Sequence, residues 1–218
     1  MNTVYEEPGV RRSADATNAY PVSVEFPYPE RSSMLYAIPV VGFVLKFVML
    51  IPFFIALWIV SLIVTVAQLV LWIPVLFSGT YPEVGYTLIG GYLRWSTRVG
   101  GFFVGISDKY PSFSFADEPG SEDPVVTIQR QQTMGRGWAI PIVGLMARLV
   151  CAVPHFVVLG ALQYACWFFM LVSWIPVLVN GRYAKTPYDL YTGTIRWHVR
   201  VYAYVFGLTD QYPPFSMI

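Results

Sequence analysis

The sequence has little charge. Its 218 residues carry 14 lysines and arginines and 13 aspartates and glutamates, 12% of the chain, against the roughly 25% of a soluble domain. Hydrophobic residues make up 56%. A disordered chain is excluded, and a soluble enzyme is a poor reading. A formal net charge of +1 gives no field for a polyanion, so no nucleic-acid partner is expected. Histidine is scarce too: only His155 and His198 are present. With the two cysteines Cys151 and Cys166 they make no metal-spaced cluster, so no metal and no cofactor are expected. Both cysteines sit in an apolar run and read as buried thiols rather than a disulfide. There is no Gly-rich phosphate loop and no Ser-His-Asp set, so no catalytic residue is assigned. Residues 1–20 include Glu6, Glu7, Arg11, Arg12 and Asp15 and lack the apolar core of a signal peptide. They read as a disordered, polar lead-in.

What is abundant is long apolar sequence. No charged residue occurs from Phe47 to Pro82, nor from Leu149 to Gly181. Each stretch exceeds the roughly 20 apolar residues that span a bilayer. The chain therefore reads as an integral membrane protein.

It is also one unit written twice. Arg94-Trp95 recurs as Arg196-Trp197, and Trp72-Ile73-Pro74-Val75-Leu76 as Trp174-Ile175-Pro176-Val177-Leu178. The same 102-residue offset (Arg94 to Arg196) carries Pro39, Gly42, Pro52, Gly79, Tyr81 and Arg98 onto Pro141, Gly144, Pro154, Gly181, Tyr183 and Arg200. It also carries Asp108, Tyr110, Pro111, Phe113 and Ser114 onto Asp210, Tyr212, Pro213, Phe215 and Ser216. Two repeats, 21–116 and 123–218, are expected around an acidic linker at 117–122. The histidines break the pattern, with Phe53 and Ser96 as counterparts, so they read as isolated polar side chains.

Each repeat opens on a β-branched segment, around Val22–Phe26 and Val125–Ile128, that reads as a strand. Each closes on a Pro-flanked aromatic tail. Opening and closing strands are expected to pair. The apolar runs, about 37–78 and 139–180, are too long for one perpendicular crossing and too short for two crossings with a turn. A very long kinked helix or a tight hairpin would satisfy them. The hairpin is favoured, with Ser61 in one copy and Gly160 with Gln163 in the other as tips, and Pro52 and Pro154 supplying kinks or breaks.

An amphipathic helix follows each run. Thr87, Gly91, Arg94, Arg98, Gly101 and Gly105 fall on one helical face, as do Asp189, Gly193, Arg196, Arg200, Ala203 and Gly207. The opposite faces are bulky. An arginine at the bilayer centre costs about 2.5–3.5 kcal/mol on insertion scales; a helix lying in the interface, or packing its small face on protein, avoids this. The expected fold is therefore an all-α integral membrane protein of tandem repeats, each a hydrophobic hairpin or long kinked helix plus an amphipathic helix, flanked by short surface strands. If both arginine pairs share one side, the crossings per repeat are even, the copies parallel and the termini cytoplasmic.

The recurring polar set is Arg94/Arg196, Arg98/Arg200, Asp108/Asp210, the cations Lys46/Arg148, and tyrosines at 81/183, 86/188 and 110/212. The six cations are candidates for anionic lipid headgroups or for helix packing, since Arg matches phosphate bidentately. Gly91, Gly101, Gly105, Gly193 and Gly207 are candidates for a close-packing face.

These motifs resemble a bacterial membrane family known as a domain of unknown function, number four-three-eight-nine. The resemblance rests on Ile38-Pro39, Gly79-Thr80-Tyr81-Pro82, Arg94-Trp95-Ser96-Thr97-Arg98 and Asp108-Lys109-Tyr110-Pro111-Ser112-Phe113-Ser114. The second copy carries Gly181-Arg182-Tyr183, Arg196-Trp197-His198-Val199-Arg200 and Asp210-Gln211-Tyr212-Pro213-Pro214-Phe215-Ser216, and departs at Ala184, which stands where the first has Pro82. The resemblance implies a bacterial plasma membrane and no known chemistry. The function expected is non-enzymatic: a scaffold or accessory subunit of a cell-envelope complex, in contact with anionic lipids and possible partner subunits. The alternatives are a lipid carrier or transporter with a pocket between the repeats, and a membrane-shaping hairpin protein.

Overall fold

The computed structural model describes residues 20–116, 123–131 and 133–218. The lead-in up to residue 19 and the linker at 117–122 lie outside the described residues. The elements in order are β1 (Val22–Glu25), α1 (Met34–Ala37), α2 (Val41–Ser78), α3 (Glu83–Val104), β2 (Val125–Ile128), a 3-10 turn (Arg136–Ala139), α4 (Val143–Met170), α5 (Trp174–Asn180) and α6 (Lys185–Val205). The 102-residue offset places α2 on α4 with α5, and α3 on α6.

The hairpin does not form. α2 runs unbroken for 38 residues, about 57 Å at 1.5 Å per residue. Ser61 lies inside it, its hydroxyl donating back to Trp58 O, and Gly160 and Gln163 lie inside α4. Pro52 and Pro74 each remove one helical hydrogen bond from α2, yet the helix persists because packing holds both sides of the gap. Leu50 and Phe53, flanking Pro52, are fully buried against Trp95, Val99 and Phe102 of α3. Around Pro154, Ala152 and His155 are fully buried, and Ala152 clusters with Trp197 and Val201 of α6. In the second copy the helix only tightens at 171–173, where the N–H groups of Leu171 and Val172 donate to Phe168 O and Phe169 O, both at 3.1 Å.

Each long helix buries one stripe at three- and four-residue spacing: Gly42, Lys46, Leu50, Phe53, Val64, Gln68, Trp72 and Val75 on α2, and Gly144, Arg148, Ala152, His155, Leu159 and Cys166 on α4. The early part of each stripe packs on its own repeat's amphipathic helix. The late part reaches the other repeat: Gln68 Nε2 donates to Val205 O at 3.0 Å, while Cys166 and Val177 cluster with Ala37 and Ile106. The amphipathic helices form the inner pair. α3 and α6 touch each other and are buried over most of their circumference. Of the two arrangements expected for them, an interfacial position or packing on protein, they adopt packing on protein.

The strands pair differently from expectation. β1 and β2, the opening strands of the two repeats, pair with each other antiparallel, with Val24 opposite Val126. These two residues occupy equivalent positions in the repeats, so the copies meet as by a two-fold rotation through this pair. The closing tails form no strand. They run back over the glycine faces of α3 and α6, where a Cβ on Gly91 would meet Phe115 Cβ and one on Gly193 would stand 2.8 Å from Met217 Cβ.

Both long helices begin on a tight turn. Val40 (φ 62, ψ −53) and Ile142 (φ 66, ψ −54) are non-glycine residues at positive φ. The following N–H groups donate back two residues, Val41 to Pro39 O at 2.6 Å and Val143 to Pro141 O at 2.7 Å. This is the rare, strained sense of the γ-turn. Just beyond it the helix start abuts a carbonyl: a Cβ on Gly42 would lie 2.1 Å from Tyr36 O, and one on Gly144 2.0 Å from Trp138 O.

Two glycine substitutions should therefore diverge. Gly160 meets nothing within 4 Å, so Gly160→Ala should raise stability by up to about 1 kcal/mol, as at any open helical site. Gly42→Ala should lower it by about 1–3 kcal/mol. Thermal unfolding in detergent reads both, and destabilisation by Gly160→Ala would restore the hairpin.

Candidate functional site

The inner arginines hold backbone, much of it from the opposite repeat. Arg94 Nε donates to Val126 O at 3.2 Å and Arg196 Nε to Val24 O at 2.7 Å, each gripping the other copy's strand. Arg200 Nε repeats the exchange on Val22 O at 3.3 Å. The second arginine of each helix also clamps its own tail: Arg98 donates to Ala116 O at 2.7 Å and to Ser114 O, and Arg200 to Ile218 O. Tyrosines at equivalent positions cross over in the same way. Tyr81 Oη donates to Phe206 O at 3.4 Å and Tyr183 Oη to Val104 O at 3.1 Å. Burial pushes the Tyr183 phenol up to about 12, which keeps it a neutral donor at ordinary pH. Gly105 and Gly207 lie just past their helices at φ 84 and φ 73, where glycine ends a helix without strain. Gly101 stays within α3, buried, with only Ile106 near its missing Cβ.

The outer cations each face the recurring aspartate of their own repeat. Lys46 Nζ lies 3.8 Å from Asp108 Oδ1, and Arg148 pairs directly with Asp210. Each aspartate also accepts a backbone N–H at an equivalent position, Asp108 from Ser33 at 2.5 Å and Asp210 from Gly135 at 2.6 Å. The aspartates recur visibly in the sequence, yet their role as partners of the Lys46/Arg148 position becomes clear only from the fold.

These two pairs are not alike. The Arg148 side chain is fully buried and donates to Tyr204 O and Thr209 O, each at 2.7 Å, as well as to Asp210. The Trp72 ring lies 4.7 Å from its guanidinium, and Trp138 and Tyr204 close the remaining sides. Trp72 comes from the first repeat and packs where a Cβ on Gly207 would strike its ring. Lys46 has Tyr36 and Phe102 nearby, at 4.9 and 5.1 Å. Trp174, the counterpart of Trp72, instead turns its Nε1 to Leu171 O at 2.7 Å. A cavity of about 370 Å³ opens beside Lys46, lined by Tyr36, Phe43, Val104, Asp108, Trp167 and Trp174 among others. That volume lies in the range of about 300–1,000 Å³ typical of small-molecule sites.

His155 takes the aromatic role of its counterpart. It stacks on Phe215 at 3.9 Å where Phe53 stacks on Phe113 at 4.0 Å, and its Nδ1 accepts from Trp197 Nε1 at 2.9 Å. His198 stacks on Tyr202 and its Nδ1 lies 2.9 Å from Thr194 O. Among the described residues no group of three or more His, Cys, Asp and Glu side chains is arranged to hold a metal ion. Cys151 and Cys166 are free thiols.

Three outcomes follow for stability in detergent. Arg148→Met should cost about 3–5 kcal/mol, because it strands a partly buried carboxylate and empties a packed aromatic box. Lys46→Met should cost clearly less, since Lys46 stands 3.8 Å from its carboxylate and the cavity beside it is already open. His155→Phe, which copies the first repeat, should stay within about 1 kcal/mol of the parent: it frees one indole N–H and removes the unpartnered His155 Nε2. Melting curves of the three variants check the ranking.

Comparison with known proteins agrees with the duplication. The family model described as "Domain of unknown function (DUF4389)" matches residues 41–114 and again residues 143–217. Among curated proteins and among solved structures none matches. The two matched segments correspond to the two repeats from the start of each long helix to its closing tail, and they cover more than half of the chain. This protein belongs to the DUF4389 family and carries the domain as two tandem copies.

Proposed function

We propose that this chain is a non-enzymatic integral membrane protein that serves as a scaffold or accessory subunit of a bacterial cell-envelope assembly. The observation that carries this reading is the outer surface of the long helices. α2 and the α4–α5 pair are long and apolar enough to cross a membrane, and only 17% and 22% of their most apolar windows are buried inside the fold. The core helix of a soluble protein would be mostly covered. Here α2 exposes Phe43, Phe47, Ile51, Ile55, Trp58 and Ile59, and α4 exposes Val150, Val153, Val157, Tyr164, Trp167 and Phe168. Exposed apolar surface of that extent calls for lipid or a partner. The arginines fit an architectural role, since they hold strands and tails in place. A second reading, a lipid carrier, is favoured by the cavity beside Lys46.

Membranes from cells expressing the chain test the first reading. After an alkaline carbonate wash the protein should remain in the pellet, and release into the supernatant would remove the membrane assignment. Purification in mild detergent should bring partner proteins with it. A lone monomer would count against the scaffold.

A further inference from the structure

We propose that the cavity beside Lys46 is a binding site for a single-chain anionic amphiphile, its carboxylate or phosphate held by the Lys46 ammonium and its hydrocarbon chain lying along the apolar walls. The proposal rests on reading the chain as lipid-facing, because the mouth of the cavity is framed by the exposed apolar residues Val40 and Phe43 of the first repeat and Trp167 and Leu171 of the second. An amphiphile enters from that surface without crossing water.

The duplication supplies the internal comparison. At the equivalent place in the second repeat a cation is sealed by three hydrogen bonds and an indole donated by the first repeat. In the first repeat the donors are present and the closure is not. Lys46 is 95% buried by its 5% exposure, yet its only ionic partner among the described residues is Asp108, beyond hydrogen-bond length at 3.8 Å. Asp108 is itself engaged by the Ser33 N–H. The Ser32 hydroxyl, also on the cavity wall, is buried without a partner. A buried ammonium and a buried hydroxyl beside one engaged carboxylate leave donors in excess, which calls for an oxygen anion. The remaining wall is apolar, with Tyr36, Phe43, Phe103, Trp167 and Trp174 around it. The Trp174 indole stays on the cavity wall and, unlike Trp72, makes no ring contact with the cation: beside the tightened backbone at 171–173 it donates to Leu171 O. Ser173 stands there in place of Leu71 of the first copy.

Terminally brominated amphiphiles test the site, because bromine quenches nearby tryptophans and Trp167 and Trp174 line the wall. The full chain in an uncharged detergent is titrated with brominated dodecanoate, dodecyl phosphate and dodecanol, and native mass spectrometry reads the stoichiometry. Either anion, or both, should quench saturably and appear as one molecule on a protein monomer, and the tighter one identifies the headgroup. Lys46→Met should weaken anion binding by about ten-fold or more. Val104→Trp, which keeps the cation and fills the wall, should weaken it as well, with circular dichroism and melting confirming that each variant is folded. Dodecanol binding as tightly as the anions would overturn the headgroup assignment. Quenching that rises without saturation, or that is unchanged in both folded variants, would reduce the effect to micelle partitioning and overturn the site. A ligand-free dimer that closes the cavity would overturn it too. None of these results bears on carbonate extraction, so the membrane reading fails or stands separately.

Discussion

The fold depends on each repeat completing the other. Arg94 and Arg196 reach across the meeting point of the copies and donate to the carbonyls of the opposite strand, at the residues that pair directly with one another. A half-buried guanidinium loses much of its water and needs its donors met by the protein. Here the two-stranded ladder presents outward carbonyls at that place. The strands are too short to be stable alone, and the arginines supply what four residues of pairing cannot. Tyr81 and Tyr183 repeat the exchange at the far ends of the inner helices.

Much of this was legible in the sequence and some of it was not. The repeat offset, the opening strands and the amphipathic helices follow from residue type and spacing, which local geometry sets. Which copy satisfies Arg94 is a question of long-range contact, and two copies with the same motifs give the same local signal whether they close on themselves or on each other. The hairpin failed for a related reason. Pro52 and Gly160 are weak helix formers judged alone, but Leu50 and Phe53 on α2 and Leu159 on α4 each belong to a buried stripe that runs across those positions, and the packing outweighs a missing hydrogen bond. α2 also runs past its own repeat and onto the next, where Gln68 meets Val205, and this uses its full length without a turn.

The candidate site shows the same division. Lys46 and Arg148 stood out as the one recurring cation inside each apolar run, and Asp108 and Asp210 as recurring acids, yet some sixty residues separate each pair in the chain. Nothing local joins them. The difference between the two sites was less legible still. Lysine against arginine reads as conservative, but only the guanidinium has the reach and the fork to bind two carbonyls and a carboxylate at once. Ser173, which stands where the first copy has Leu71, is far from Lys46 in the chain, and the tryptophan that follows it bonds to Leu171 O.

The exchanged strands carry an evolutionary consequence. A single repeat of this kind lacks the opposite strand's carbonyl for its arginine and the opposite arginine for its strand. Two such copies associated about a two-fold axis would supply both, and the tandem chain holds the same exchange within one molecule. Fusion removes the identity that symmetry imposes on a homodimer. Once the halves are encoded separately, one can keep the sealed cation that secures the assembly while its twin is released to drift toward an open chamber.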